Sequence, residues 1–394
     1  METGELKDLF EKIYGSGEVR AFVGPARVNL IGEHTDYNGG YVFPCALSMR
    51  SMCLVRPRTD GKINLCSTSF SGTVNADIQH LGDYRSLEWG SYQLGVAYMM
   101  QQGGYEITGC DMLYDETVPH GSGLSSSAAI ETATAMAFAT LDSEKTGKPI
   151  NKVKLAQLGQ KAENEYVGMN CGIMDQFASA LGKKDHAILL QCSDLAYKYV
   201  PFDIEKQGYA LVITSTNKPR ALITSKYNER RAECERALRD IQTAIPAIRN
   251  LAQLSEGLFD EYKGAIQSDT DRKRAEHVVY ENARTIRSVE LLQKGDIDGF
   301  GRLMCQSHES LRYLYEVTGP ELDALYETGL KTPGVIGTRM TGAGFGGCTV
   351  SIIRKDSVAE YKSRVEKDYP AQTGLKPQFY ITKPADGMRE EMII

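Results

Sequence analysis

Residues 106–141 constrain this chain more than any other stretch. Residues 106–114 alternate like a strand, then run through Pro-His-Gly-Ser-Gly-Leu-Ser-Ser-Ser-Ala-Ala-Ile-Glu (119–131). An Ala-rich segment follows, and its spacing predicts a helix from about 125 to 141. Gly121 and Gly123 let the backbone take positive φ and approach another group closely. Ser125, Ser126 and Ser127 then open a helix whose small side chains permit tight packing. Free N–H groups, hydroxyls and the positive end of the helix dipole converge on one spot, which favours a bound phosphate. Plain helix capping is the alternative, but one serine suffices for a cap. No G-x-x-x-x-G-K-[ST] and no G-x-S-x-G occurs, so a Walker-type P-loop and the serine-hydrolase elbow are excluded.

The chain has 394 residues, more than one core usually serves, and this predicts two domains. Strands are expected at 19–23, 41–58, 62–66, 186–192, 209–214, 346–353 and 377–382. Helices are expected at 3–14, 91–102, 152–168 and 357–368, and the pattern is strongly helical from 221 to 313. The change from mixed strand and helix to long helices falls near 180–200, which divides the chain into 1–190 and 191–394. With 42% hydrophobic and 24% charged residues and 38 Gly, disordered and fibrous classes are excluded. A net charge of −6 argues against a nucleic-acid backbone binder. The nine cysteines are odd in number and show no CxxC pair, so reduced thiols are expected rather than a disulfide framework or zinc site. The N-terminus lacks an apolar signal core, and no window approaches the ~18 apolar residues of a membrane span. A soluble, cytoplasmic protein without a membrane partner is the expectation.

Three further segments carry chemistry. Residues 30–40, Leu-Ile-Gly-Glu-His-Thr-Asp-Tyr-Asn-Gly-Gly, place Glu33, His34 and Asp36 in a tight loop between apolar runs. No second His lies at i+3 to i+5, so zinc is improbable. Short acceptors and one imidazole suit a polyhydroxylated ligand, whose hydroxyls they can bind; a polar loop satisfying its own backbone is the plainer alternative. Asp175 stands among Ile173, Met174 and Phe177. A carboxylate in such company either caps a helix or has a functional partner. Finally, Arg-Met-Thr-Gly-Ala-Gly-Phe-Gly-Gly-Cys-Thr (339–349) contains G-x-G-x-x-G but leads into a strand, where a dinucleotide fingerprint should open a helix. Either a plain structural turn or a glycine turn bringing one domain's backbone to the other is expected there.

Together these motifs resemble the GHMP family of small-molecule kinases. PHGSGLSSSAA is similar to its phosphate-binding motif and MTGAGFGGC to its third motif. GPARVNLIGEHTDYNGGYVFP, NCGIMDQFAS, STNKPRALITSKYNERRAEC and SHESLRYLYEVTGPELDAL resemble the branch that phosphorylates galactose, so that the similarity runs from about 20 to 350. The resemblance implies an α+β fold, with a ribosomal-protein-S5-like domain, a ferredoxin-like domain and the active site in the cleft between them. It implies transfer of the γ-phosphate of ATP to the C1 hydroxyl of galactose. Sugar contacts are then expected from Glu33, His34, Thr35, Asp36, Gly172, Asp175 and Tyr227. Asp175 is expected as base or orienting group, with Arg27 beside it and the transferring phosphate. Gly121, Ser122, Gly123, Leu124, Ser125, Ser126 and Ser127 are expected to bind ATP, with Ser67 near the nucleotide base. Ser127 and Glu163 are expected to hold Mg²⁺. A kinase of the same family acting on N-acetylgalactosamine or arabinose is one rival; a non-catalytic galactose sensor on the same fold is another. The intact LSSSAA, Arg27, Glu163 and Asp175 favour an enzyme.

Overall fold

The computed structural model describes residues 1–119, 123–219 and 223–393. Hydrophobic alternation along the first third of the chain builds a six-stranded sheet. Its order is Arg389–Glu391, Arg20–Asn29, Pro44–Pro57, Cys110–Glu116, Lys62–Ser67 and Val74–Asp77. All neighbours are antiparallel except Cys110–Glu116 with Lys62–Ser67. The helix Ser126–Thr146 lies across one face, where Phe22, Leu65, Met112, Tyr114, Phe138 and Phe177 form the core. The helix Thr3–Tyr14 covers the other face with Leu6 and Phe10.

The close packing expected of the small-residue helix has a partner. A Cβ on Gly24 would stand 2.0 Å from the Ala129 carbonyl oxygen and 2.4 Å from Thr132 Oγ1. Only glycine lets that helix settle so near the sheet, and its N-terminus is placed accordingly.

The later part of the chain forms a second sheet in the order Val335–Thr341, Cys348–Arg354, Tyr209–Ser215 and Gln378–Thr382, antiparallel throughout. The helix Gly319–Leu330 precedes its second strand in chain order, and the helix Val358–Thr373 joins its third to its fourth. This β-α-β-β-α-β order is ferredoxin-like. The helices Ile223–Ala244 and Asp269–Gln293 are added to it and share the apolar residues Cys234, Ile241 and Val278. The two sheets meet over a common core in which Val28, Phe43 and Leu47 join Leu211, Phe300 and Val350.

Several elements differ from the sequence expectation. The strand expected at 19–23 runs to Asn29 through Pro25, because a bulge between Pro25 and Arg27 absorbs the proline. The strand expected from 106 begins at Cys110. The helix expected over 152–168 is α-helical to Lys161 and then widens into a π-helical turn, Ala162–Val167. The strand Val335–Thr341 was not expected, since Gly337 and Arg339 interrupt its apolar pattern. Among the described residues no helix is long and apolar enough to cross a membrane, and the nine cysteines are free thiols.

Candidate active site

A cavity of about 270 Å³ lies where both sheets contribute loops. At its centre Arg27, just past the bulge, turns its guanidinium onto the first turn of the helix Met174–Leu181. Arg27 Nε donates to Asp175 Oδ1 at 2.8 Å and Nη2 to Oδ2 at 2.7 Å. Nη1 donates to the Gly123 carbonyl at 2.7 Å. Burial lowers the Arg27 pKa, but the Asp175, Glu33 and Asp36 carboxylates outweigh it and hold the guanidinium charged. The Asp175 side chain is 25% exposed against 5% for Arg27, so the acid faces the cavity while its partner is buried behind it.

This geometry decides two of the open alternatives. Ile173, rather than Asp175, occupies the cap position of its helix, and the Asp175 carboxylate is bound to Arg27. Ser125 is the N-cap residue of Ser126–Thr146, yet its hydroxyl makes no capping bond. It takes a left-handed backbone, φ +63°, and donates to Asp175 Oδ2 at 2.7 Å. The helix N-terminus is thus left without a side-chain cap beside Ser126 and Ser127, which also line the cavity.

The π-helical turn carries Glu163 to the same cavity wall as Ser127. Burial, then the Asp175 charge, pushes Glu163 up to about 7. Gln176 Nε2 donates to Glu163 Oε2 at 2.7 Å and to Glu131 Oε2 at 2.9 Å. Glu131 is wholly buried one helical turn after Ser127; burial and the neighbouring Glu163 raise its pKa well above the usual range. One hydroxyl and one carboxylate beside a helix N-terminus without a side-chain cap are a donor set that fits Mg²⁺, which takes one or two such protein ligands and completes its shell with other oxygens.

The segment 33–36 forms the opposite wall. Glu33 is buried, and its Oε1 accepts from Gly342 N at 2.8 Å, Thr341 Oγ1 at 3.2 Å and Arg339 Nη1 at 3.3 Å. Asp36 opens a 3₁₀ turn, Asp36–Asn38, closed by Gly39 at φ +71°. Burial and then the Asp175 charge push Asp36 up to about 7. Gly172 presses against it: a Cβ there would fall 1.8 Å from Asp36 Oδ2. Tyr227 reaches in from the helix Ile223–Ala244, with its ring centroid 5.7 Å from that of His34. The glycine turn after Thr341 brings the second sheet's backbone to the first. A Cβ on Gly342 would sit 2.9 Å from the Gly123 carbonyl oxygen.

Not every expected residue faces this cavity. Thr35 is fully buried, and its hydroxyl bonds the Gly32 and Tyr41 carbonyls, which holds the loop together. Leu124 has its side chain in the core, and its carbonyl accepts from Arg27 N. Ser67 ends a strand away from the lining residues, where its Oγ accepts from Ser69 N. His34 lines the cavity, but both ring nitrogens are engaged by protein. Nε2 faces the Ala343 carbonyl at 3.3 Å and so carries the proton; Nδ1 accepts from the Tyr37 hydroxyl at 2.9 Å. Burial, with the nearby His277, lowers His34 to about 3 and keeps it neutral. Gly121 and Ser122 lie outside the described residues. Tyr92, Met174 and Asn228 line the cavity without having been singled out. Asn228 directly follows Tyr227 in a quoted motif, which is the one signal that could have drawn attention to it.

Residues 91–183 match the family model described as GHMP kinases N terminal domain, and 288–371 match GHMP kinases C terminal. Residues 8–57 match the galactokinase galactose-binding signature. A galactokinase of Clostridium tetani is 47% identical over 99% of this chain and 98% of its own length. One from Bacillus subtilis is 43% identical over 98% of both chains. The crystal structure of Lactococcus lactis galactokinase complexed with galactose superposes with a TM-score of 0.94 at 41% identity, covering 98% of this chain and 99% of that one. Methanococcus jannaschii mevalonate kinase, 19% identical over 95% of this chain and 100% of its own, shares the fold with a TM-score of 0.64. A structure that places both GHMP domains around one cavity, and relatives this similar over their full length, leave one assignment: the chain belongs to the galactokinase family of GHMP kinases.

Proposed function

We propose that this protein transfers the γ-phosphate of ATP to the C1 hydroxyl of α-D-galactose, giving galactose 1-phosphate and ADP. The observation that carries the reading is the contact set of Arg27. One guanidinium holds Asp175 with two donors and the loop carbonyl of Gly123 with a third. It therefore fixes the acceptor-orienting acid relative to the phosphate-binding helix end. Phosphoryl transfer asks for this kind of positioning and for charge stabilisation, and little covalent work from the protein.

In this reading Glu33, Asp36, the Gly172 backbone and Tyr227 bind the sugar, and His34 shapes the pocket as a neutral ring. Ser125–Ser127 and the N–H groups of the helix end bind the ATP phosphates. Ser127 and Glu163 hold Mg²⁺, which neutralises phosphate charge when bound. Asp175 receives three hydrogen bonds from Arg27 and Ser125, so its carboxylate is fixed in place, suited to orienting the C1 hydroxyl or accepting its proton. We place the boundary between the two domains near residue 190 and the protein in the cytoplasm, with galactose and Mg-ATP as its small-molecule partners.

The test is a panel of galactose, N-acetylgalactosamine, arabinose and glucose with Mg-ATP, read as ADP release. Galactose should give the highest kcat/KM. Preference for the N-acetylated sugar, or binding of galactose and ATP without ADP release, would overturn the assignment.

A further inference from the structure

Among the described residues, several buried arginines have no part in the phosphoryl transfer, and Arg339 is the most deeply buried of them. Arg339 stands on the strand Val335–Thr341 with none of its surface exposed, and it is the bulkiest side chain so deeply buried. Taking a guanidinium out of water is costly, and apolar residues of similar volume commonly serve a core as well or better. What distinguishes Arg339 is where its donors go. Nη1 reaches the other sheet, donating to the Asn29 carbonyl at 3.2 Å and to Glu33 Oε1 at 3.3 Å. Nε donates to Ser307 Oγ at 3.1 Å. Nη2 has no partner.

Its surroundings brace the same point. Ser307 donates to Glu281 Oε1 at 2.5 Å, and that oxygen also accepts from Gly32 N at 2.9 Å. His277 Nε2 donates to the Glu33 carbonyl at 3.1 Å. Arg339 and Glu281, joined through Ser307, therefore clamp Gly32 and Glu33 from the second domain's side. Arg339, Thr341 and Gly342 all act on Oε1 of Glu33, none of them on Oε2. The carboxylate is held by one oxygen, and the acceptor capacity of the other stays available to a hydroxyl of the ligand.

We propose that Arg339 is a positioning residue for sugar recognition: it fixes the orientation of Glu33 and so sets sugar affinity without touching the sugar. The inference rests on the reading of Glu33 as a sugar contact. A merely structural arginine would move stability, nucleotide affinity and sugar affinity together, whereas a positioning role moves sugar affinity alone.

The experiment is calorimetric titration of galactose, which needs no nucleotide, beside steady-state KM values for both substrates. It uses the full chain as wild type, Arg339→Met, Arg339→Lys and Glu33→Gln. Arg339→Met should raise the galactose Kd by roughly tenfold or more, the equivalent of one charge-assisted hydrogen bond. Arg339→Lys should restore part of the loss. KM for ATP and kcat at saturating galactose should stay within about threefold of wild type. A folded Arg339→Met protein with unchanged galactose Kd, or one losing both affinities in parallel, overturns the inference. If Arg339→Met does not fold, Arg339→Lys decides. A higher galactose Kd with ATP unaffected supports the proposal; an unchanged one sinks it. Undiminished galactose affinity in Glu33→Gln would remove the sugar-contact reading and the inference with it. A strong Glu33→Gln effect beside a silent Arg339 removes the inference alone.

Discussion

At Asp175 the local chemistry is set by three donors on one carboxylate. Asp175→Asn and Arg27→Ala should each leave the circular dichroism of the fold close to wild type, Arg27→Ala at a lower Tm because it breaks a buried ion pair, while kcat falls by about 10²–10⁴ for the loss of a positioned proton acceptor or stabilising charge. Near-normal turnover in a folded Asp175→Asn protein would remove it from the mechanism. Gly172→Ala probes the adjacent contact. Its methyl would occupy the space of the Asp36 carboxylate, so Asp36 must rotate away. KM for galactose should rise by roughly tenfold, as for a lost hydrogen bond to a charged group, with little change in KM for ATP. Asp36 also leaves a pH signature. Its pKa rises from the unfolded value near 3.8 to about 7 on folding, so the native state holds the extra proton between those values. Its contribution to stability is then full at low pH and is lost as pH rises toward and through 7. Asp36→Asn should therefore gain more Tm relative to wild type at pH 8 than at pH 5; an equal gain at both would contradict the shift.

The helix Ser126–Thr146 is the element on which the site depends most. Its small residues and glycine-rich entry were readable from the sequence because two glycines before a run of serines and alanines mark the start of a closely packed helix. What could not be read was the docking partner. Gly24 lies about a hundred residues upstream of that helix, in a stretch whose Pro25 argues against a strand, and the bulge that resolves the conflict is a tertiary event. Arg27 was visible as a fixed positive charge upstream of the charged loop, but its place beside Asp175 entered only through the family resemblance. Glu163 was placed on a helix, but the π-helical widening that carries it to the cavity wall leaves no mark in an apolar periodicity. Gly24→Ala tests the docking. A methyl 2.0 Å from a backbone carbonyl cannot be accommodated without moving the helix. Stability should drop by about 3 kcal/mol or more, and KM for ATP should rise because the displaced end carries the serines. An unchanged Tm would show that the sheet yields instead.

Across the whole molecule, most strands of the two larger sheets were legible because alternation and helical spacing survive in long segments; a third, three-stranded sheet of Tyr41–Val42, His186–Gln191 and Tyr197–Pro201 lies beside them. The sequence reading could not show how the ends of the chain meet. Met388 is fully buried, and Arg389–Glu391 pairs with Ala21–Val23 at the edge of the first sheet. Arg20 is held by both oxygens of Glu390, and Arg50 pairs with Glu391. A three-residue strand is too short to register in a pattern built on runs of five or more. Deleting 389–394 should lower Tm by several degrees, in line with losing a few kcal/mol from a large domain, while KM for galactose at low temperature stays near wild type. Equal thermal stability of the shortened chain would show that the pairing is incidental.

That edge strand has a consequence for synthesis on the ribosome. The first sheet receives its last strand only after the whole second domain has been made. At about 5–20 residues per second, the residues between the two partners take on the order of half a minute to appear. During that interval Ala21–Val23 is an unpaired edge of the kind that recruits other strands. The nascent protein is thus most exposed to mispairing at the strand that carries Arg27. Arg389–Glu391 closes that edge only once the second sheet's strands have been made.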